Sequence, residues 1–100
     1  EPTANLDVKN QIAVLEQIQL LSDRGYTVII TTHNPGHALS LGGKTLLMGK
    51  NKFLFGDTIE IIAADVLSEY YGLNVEMHDI GDNKCVVFQS GDAGRMKLVL

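Results

Sequence analysis

Few side chains in this sequence are of types that do chemistry: Glu1 in an opening loop, Asp7 ahead of an apolar-periodic run, His33 and His37 four residues apart, and His78 with Cys85. His33 and His37 could share a metal ion, but a structural site needs about four ligands and no third follows at a useful spacing. His78 and Cys85 could face each other across a hairpin. Two ligands make no such site, so both are expected at the surface. By residue type alone, Glu1 is a solvated loop residue, His33 is a loop residue after a strand, and Asp7 is a helix N-cap. Tyr70 and Tyr71 are expected to pack rather than to recognise a ligand. Any further role for Glu1, Asp7 and His33 depends on what positions them.

From Val8 to Leu21 the apolar residues Val8, Ile12, Leu15, Ile18 and Leu21 recur every three or four positions, which predicts an amphipathic helix. Asp7 caps its start, and Gly25 is suited to the left-handed conformation past its end. Residues 26–31 are β-branched and nearly unbroken, the pattern of a strand buried on both faces of a parallel sheet. Pro35 opens a short helix containing His37, Ala38 and Leu39, which Gly42 and Gly43 end. Residues 45–48 and 52–55 predict a hairpin around Gly49-Lys50-Asn51. Two short helices follow at 58–63 and 65–71, the second capped by Asp65 and stopped by Gly72. Residues 74–80 and 84–89 predict a second hairpin across Gly81-Asp82-Asn83. Residues 90–100 carry no clear pattern, and there is no internal repeat or low-complexity stretch.

With 100 residues the chain is one domain's worth at most, and an apolar fraction of 45% suits a globular protein rather than a disordered one. Its longest apolar runs fall far short of the roughly 20 residues of a transmembrane helix. A net charge of −4 without clustered Lys or Arg argues against nucleic acid or an anionic membrane surface as direct partner. The single Cys85 excludes an internal disulfide and suits a reducing compartment. Glu1-Pro2-Thr3 opens the chain in mid-loop without a Met, so the expectation is a piece of a longer protein.

Glu1-Pro2-Thr3-Ala4-Asn5-Leu6-Asp7 resembles the end of the Walker B motif running into the D-loop of ATP-binding cassette (ABC) ATPases. Thr31-Thr32-His33-Asn34-Pro35 resembles the H-loop of the same family, at the family's spacing, one helix and one strand later. The resemblance implies an α/β fold: the C-terminal part of a P-loop NTPase-type parallel sheet with flanking helices, then short strand pairs and helices. Residues 1–72 would be the C-terminal part of the nucleotide-binding domain and 73–100 a β-rich extension. In such a sheet consecutive strands end on one edge, so Glu1 and His33 would face one crevice.

The resemblance also implies roles. Glu1 matches the catalytic glutamate that orients or deprotonates the attacking water. His33 matches the histidine that hydrogen-bonds the γ-phosphate of ATP. Asp7 matches the D-loop aspartate that reaches the facing subunit's phosphate loop, a role compatible with capping. ATP and Mg2+ would serve the full-length protein, because the phosphate loop, the signature motif and the Walker B aspartate lie upstream of Glu1; none of these residues is itself read as a metal ligand. Implied partners are a second ATPase subunit and transmembrane permease subunits, with a cytoplasmic location against the inner face of the membrane.

Thr58 to Gly72 followed by Leu73-Asn74-Val75-Glu76-Met77 resembles the tail of importers for iron chelates, haem and vitamin B12. Gly43 departs from the family, many of whose members carry an acidic residue there. Two other readings stand beside this one: a soluble cassette ATPase of repair, translation or cofactor assembly, and a non-catalytic interaction domain. An upstream phosphate loop would exclude the last.

Overall fold

The computed structural model describes residues 1–90 and 96–100. It divides into two compact units, residues 1–33 and residues 34–100.

In the first unit, α1 spans Val8–Asp23. Asp7 caps it as expected, its Oδ1 accepting from the Asn10 amide at 2.9 Å. Gly25, at φ +90°, ends it in a Schellman arrangement. The Gly25 amide donates to the Ser22 carbonyl at 3.0 Å and the Tyr26 amide to the Leu21 carbonyl at 3.1 Å. No α1 residue is buried, and Val8 and Ile12 of the expected apolar face are 71% and 52% exposed.

Residues 26–31 form no ladder, contrary to the expectation of a strand. A strand is defined by its partners, and all ladders among the described residues are antiparallel and lie elsewhere. The expected parallel sheet therefore does not appear among the described residues. Ile29, on the most strand-like stretch, is 89% exposed.

The second unit opens with α2, Pro35–Leu41. Asn34 caps it through its side chain, and Gly42 and Gly43 at φ +69° and +75° turn the chain out of it. Strands β1 (Lys44–Met48) and β2 (Phe53–Asp57) pair antiparallel, Lys44 opposite Asp57. The Lys44 ammonium also binds the Asp57 carboxylate, which holds the lysine pKa above its usual range.

Two short helices follow, α3 (Thr58–Ile61) and α4 (Ala64–Tyr71). The first is shorter than expected. The second is entered through Ala63, which has no side-chain cap bond. Asp65 is therefore not the cap; it lies inside the first turn, where its charge meets the positive end of the helix dipole. Gly72 ends α4 in the left-handed conformation at φ +67°, as expected.

Strands β3 (Asn74–Ile80), β4 (Asn83–Gln89) and β5 (Lys97–Val99) form an antiparallel meander. β3 and β4 are joined across Gly81-Asp82 with positive φ at Gly81, the position a two-residue type II′ turn gives to glycine. β5 falls within the stretch 90–100 that showed no pattern; residues 91–95 of that stretch lie outside the described residues.

Ile61, Ile62, Leu67, Val75, Val86 and Phe88 form the core of this unit, with Leu39, Leu47, Met77 and Leu100 packed against it. Val86 and Phe88 are buried because the period-2 alternation of β4 turns them to one face. Leu67 and Val86 are fully enclosed. Truncating Leu67 to Ala would leave a cavity costing about 2–5 kcal/mol. Tyr71 stacks edge-on against Phe88 at 5.2 Å, and Tyr70 against Tyr71 at 4.8 Å, so this pair packs as expected.

Candidate functional site

The first unit brings together residues from its two ends. Residues 1–7 fold into consecutive turns: the Ala4 amide donates to the Glu1 carbonyl and the Leu6 amide to the Thr3 carbonyl, each at 3.3 Å. Asn5 takes a positive φ of +62° here, a conformation asparagine tolerates better than most residues. Thr3 is buried, and the Gln11 side chain donates to the Leu6 carbonyl at 2.9 Å. The loop is thus tied to the first turns of α1 through both Asp7 and Gln11.

At the other end, the residues after 26–30 close onto Glu1. The terminal ammonium at Glu1 donates to Thr31 Oγ1 at 3.0 Å. The His33 amide donates to Glu1 Oε1 at 3.2 Å, and His33 Nε2 stands 3.6 Å from Glu1 Oε2. The imidazole is 92% exposed and the carboxylate 37%. A carboxylate and an imidazole that share one open edge can together hold a polar ligand and move a proton at it. Sequence reasoning gave Thr31 no role. It entered only as the first residue of the H-loop-like stretch 31–35.

Asp7 is placed by the structure as the cap of α1. His37 lies in α2, its amide donating to the Asn34 carbonyl and side chain. Among the described residues no three His, Cys, Asp or Glu side chains gather as a metal site. His78 and Cys85 are cross-strand partners, as foreseen, but the imidazole bonds Glu76 Oε2 at 2.9 Å. That hydrogen bond, more than any other cause, holds the Glu76 carboxyl below its usual pKa.

No family model matches the chain. Among curated proteins it is 39% identical, over 73% of its own length, to the molybdate import ATP-binding protein MolC of Haemophilus influenzae. It is 26% identical, over 90% of its length, to the vitamin B12 import ATP-binding protein BtuD of Yersinia pseudotuberculosis. It covers 29% and 36% of those proteins, so it spans about a third of the length of the curated relatives it matches. A solved ABC transporter assigned to the metal-chelate type, in an inward-facing conformation, matches all of this chain with 38% of its own. The TM-score is 0.74 and the identity 28%. The chain is a relative of ABC-transporter ATP-binding subunits, and its helices and small antiparallel sheets match their C-terminal region.

Proposed function

We infer that this chain is the C-terminal part of the ATP-binding subunit of an ABC importer, and that it supplies the catalytic carboxylate and the γ-phosphate-sensing histidine of the ATPase site. The observation that carries this reading is the meeting of Glu1 and His33. Two residues 32 positions apart, each in a motif of the family, converge with a carboxylate–imidazole distance of 3.6 Å. In this reading Glu1 orients the attacking water and accepts its proton, work of about 10²–10⁴ in rate. His33 donates a hydrogen bond to the γ-phosphate. Catalysis of phosphoryl transfer is mostly such positioning and electrostatics. Asp7 faces the second ATPase subunit as well as capping α1.

The cargo we propose is a metal-containing or metal-like nutrient, an iron chelate, haem, cobalamin or related species. Relatives named for molybdate import, vitamin B12 import and chelated iron transport support that class. The same reading makes residues 1–72 part of the nucleotide-binding domain and 73–100 a β-rich extension. It places the subunit at the cytoplasmic face of a membrane, dimeric, and held there by permease subunits. Among the described residues no helix is long and apolar enough to cross a membrane.

The test is Glu1→Gln in the full-length protein. The amide keeps the shape of the side chain but is no base, so turnover should vanish while ATP binding persists and the ATP-bound dimer accumulates. Hydrolysis near the wild-type rate would remove Glu1 from the mechanism.

A further inference from the structure

We propose that Gln11 is a positioning residue for the ATPase reaction, fixing the loop of residues 3–7 in the shape that presents Asp7 to the second subunit; the proposal rests on the reading of that loop as the D-loop. Gln11 binds two successive carbonyls of the loop. Its backbone amide donates to the Asp7 carbonyl at 2.8 Å, the first hydrogen bond of α1. Its side-chain amide donates to the Leu6 carbonyl at 2.9 Å. One helical residue thereby sets two consecutive peptide planes, those on either side of Asp7.

The loop does little to hold itself. Among the described residues Asn5 is the one residue other than glycine with a positive φ, +62°, and such a backbone persists only where its surroundings enforce it. The hydrogen bond across Asn5, from the Leu6 amide to the Thr3 carbonyl, is long at 3.3 Å. Leu6 stands outside α1, so its carbonyl takes no part in the helical ladder. Side chains on a helix lean toward its N-terminus, so Gln11, four residues past the cap, reaches back to that carbonyl. Leu6 and Gln11 are both half-buried. Water replacing the side-chain amide would satisfy the Leu6 carbonyl without fixing its direction.

The effect should fall on turnover, because ATP affinity belongs mainly to groups that cradle the phosphates. Gln11→Met keeps the length and helix propensity of the side chain and removes the donor. In the full-length protein it should lower kcat roughly two- to tenfold, the range one neutral hydrogen bond commands, with KM for ATP and melting temperature unchanged. Asp7→Asn, which keeps the cap, should lower kcat as well. Since Gln11 acts through the loop that carries Asp7, the double variant should lose no more than the worse of the two single ones.

Steady-state kinetics and thermal melts of the two single variants and the double variant decide it. Two kcat-specific losses that do not multiply, at an unchanged melting temperature, support the proposal. If Asp7→Asn is slowed but Gln11→Met turns over normally, the Gln11 role is overturned and the reading of the loop stands. Losses that multiply in the double variant also overturn it, because Gln11 then acts independently of Asp7. A loss in Gln11→Met that follows a fallen melting temperature makes the residue merely structural. Normal turnover in Asp7→Asn overturns the interface reading of Asp7 and this proposal with it.

Discussion

The His33 amide and the His33 imidazole address the two oxygens of the same carboxylate, Glu1 Oε1 at 3.2 Å and Oε2 at 3.6 Å. The first contact is made by backbone and survives any side-chain substitution. His33→Ala therefore removes the ring while leaving Glu1 held. In the full-length protein this variant should hydrolyse ATP about 10²-fold more slowly or worse, as expected for loss of a group that aligns the reaction, with a smaller change in nucleotide affinity. Single-turnover hydrolysis beside equilibrium ATP binding separates the two, and an unchanged rate would take the imidazole out of the reaction.

Asp7 caps α1 through its bond from the Asn10 amide, and its proposed second task is at the dimer interface. Asparagine caps as well as aspartate but carries no charge, whereas alanine does neither. Asp7→Ala should cost about 0.5–2 kcal/mol of stability. Asp7→Asn should keep the melting temperature. If Asp7→Asn also keeps full activity and normal coupling between the two ATP sites, capping is the residue's whole role.

Gly36 lies in the first turn of α2 with no room for a side chain. A Cβ there would stand 2.8 Å from the Leu100 carbonyl carbon and 3.0 Å from Asn34 Oδ1. Neither neighbour yields cheaply. Leu100 exchanges backbone hydrogen bonds with Val86, and Asn34 Oδ1 is the cap that accepts from the Gly36 amide at 2.8 Å. Although alanine is the better helix former, Gly36→Ala should destabilise by about 1–3 kcal/mol, the usual cost of overpacking. A thermal melt at or above the wild-type value would contradict this geometry.

How much could be read beforehand follows from how local each cause is. The caps of α1, the start of α2 at Pro35 and its end at Gly42, the two hairpins and the stop at Gly72 rest on a few neighbouring residues, and all were legible. The start of α4 was misplaced because an aspartate was taken for a cap where Ala63 enters the helix uncapped. β5 was illegible, since three residues become a strand only beside β4. Residues 26–31 have strand composition but no ladder, because composition supplies no partner. Glu1, Asp7 and His33 are proposed as site residues from family motifs, and the structure adds that Glu1 and His33 meet.

The Glu76–His78 bond gives the outer hairpin a pH dependence with a definite sign. The Glu76 carboxyl is held below its usual value, chiefly by the hydrogen bond from His78. A depressed carboxylate adds stability above the unfolded-state pKa, about 4.3 for glutamate, and loses it as pH falls through the lower folded-state value. The effect is small, since the pair is exposed. Wild type should melt slightly above Glu76→Gln at pH 6, and the gap should close below about pH 4. A gap that widened toward acid would reverse the assignment.

The isolated 100-residue chain should neither hydrolyse ATP nor bind it tightly, and it should self-associate. Its proposed share of the site is one carboxylate, one imidazole and a D-loop, whereas gripping a triphosphate takes an amide nest, a lysine and a metal site. The tendency to associate has a separate origin, in the first unit. Residues 26–31 are strand-like in composition and join no ladder in the structure, with Ile29 89% exposed. On helix α1, Val8, Ile12 and Leu21 of the apolar stripe are exposed as well. An unpaired apolar edge is a template for another chain. Replacing Ile29 with lysine, a residue that blunts such edges, should therefore shift the sample toward monomer without altering the packed core of residues 34–100. Sedimentation velocity of both samples, with Mg-ATP titration calorimetry on the unsubstituted chain, checks the two halves independently. A monodisperse monomer would defeat the edge argument, and micromolar ATP affinity would defeat the division of the site.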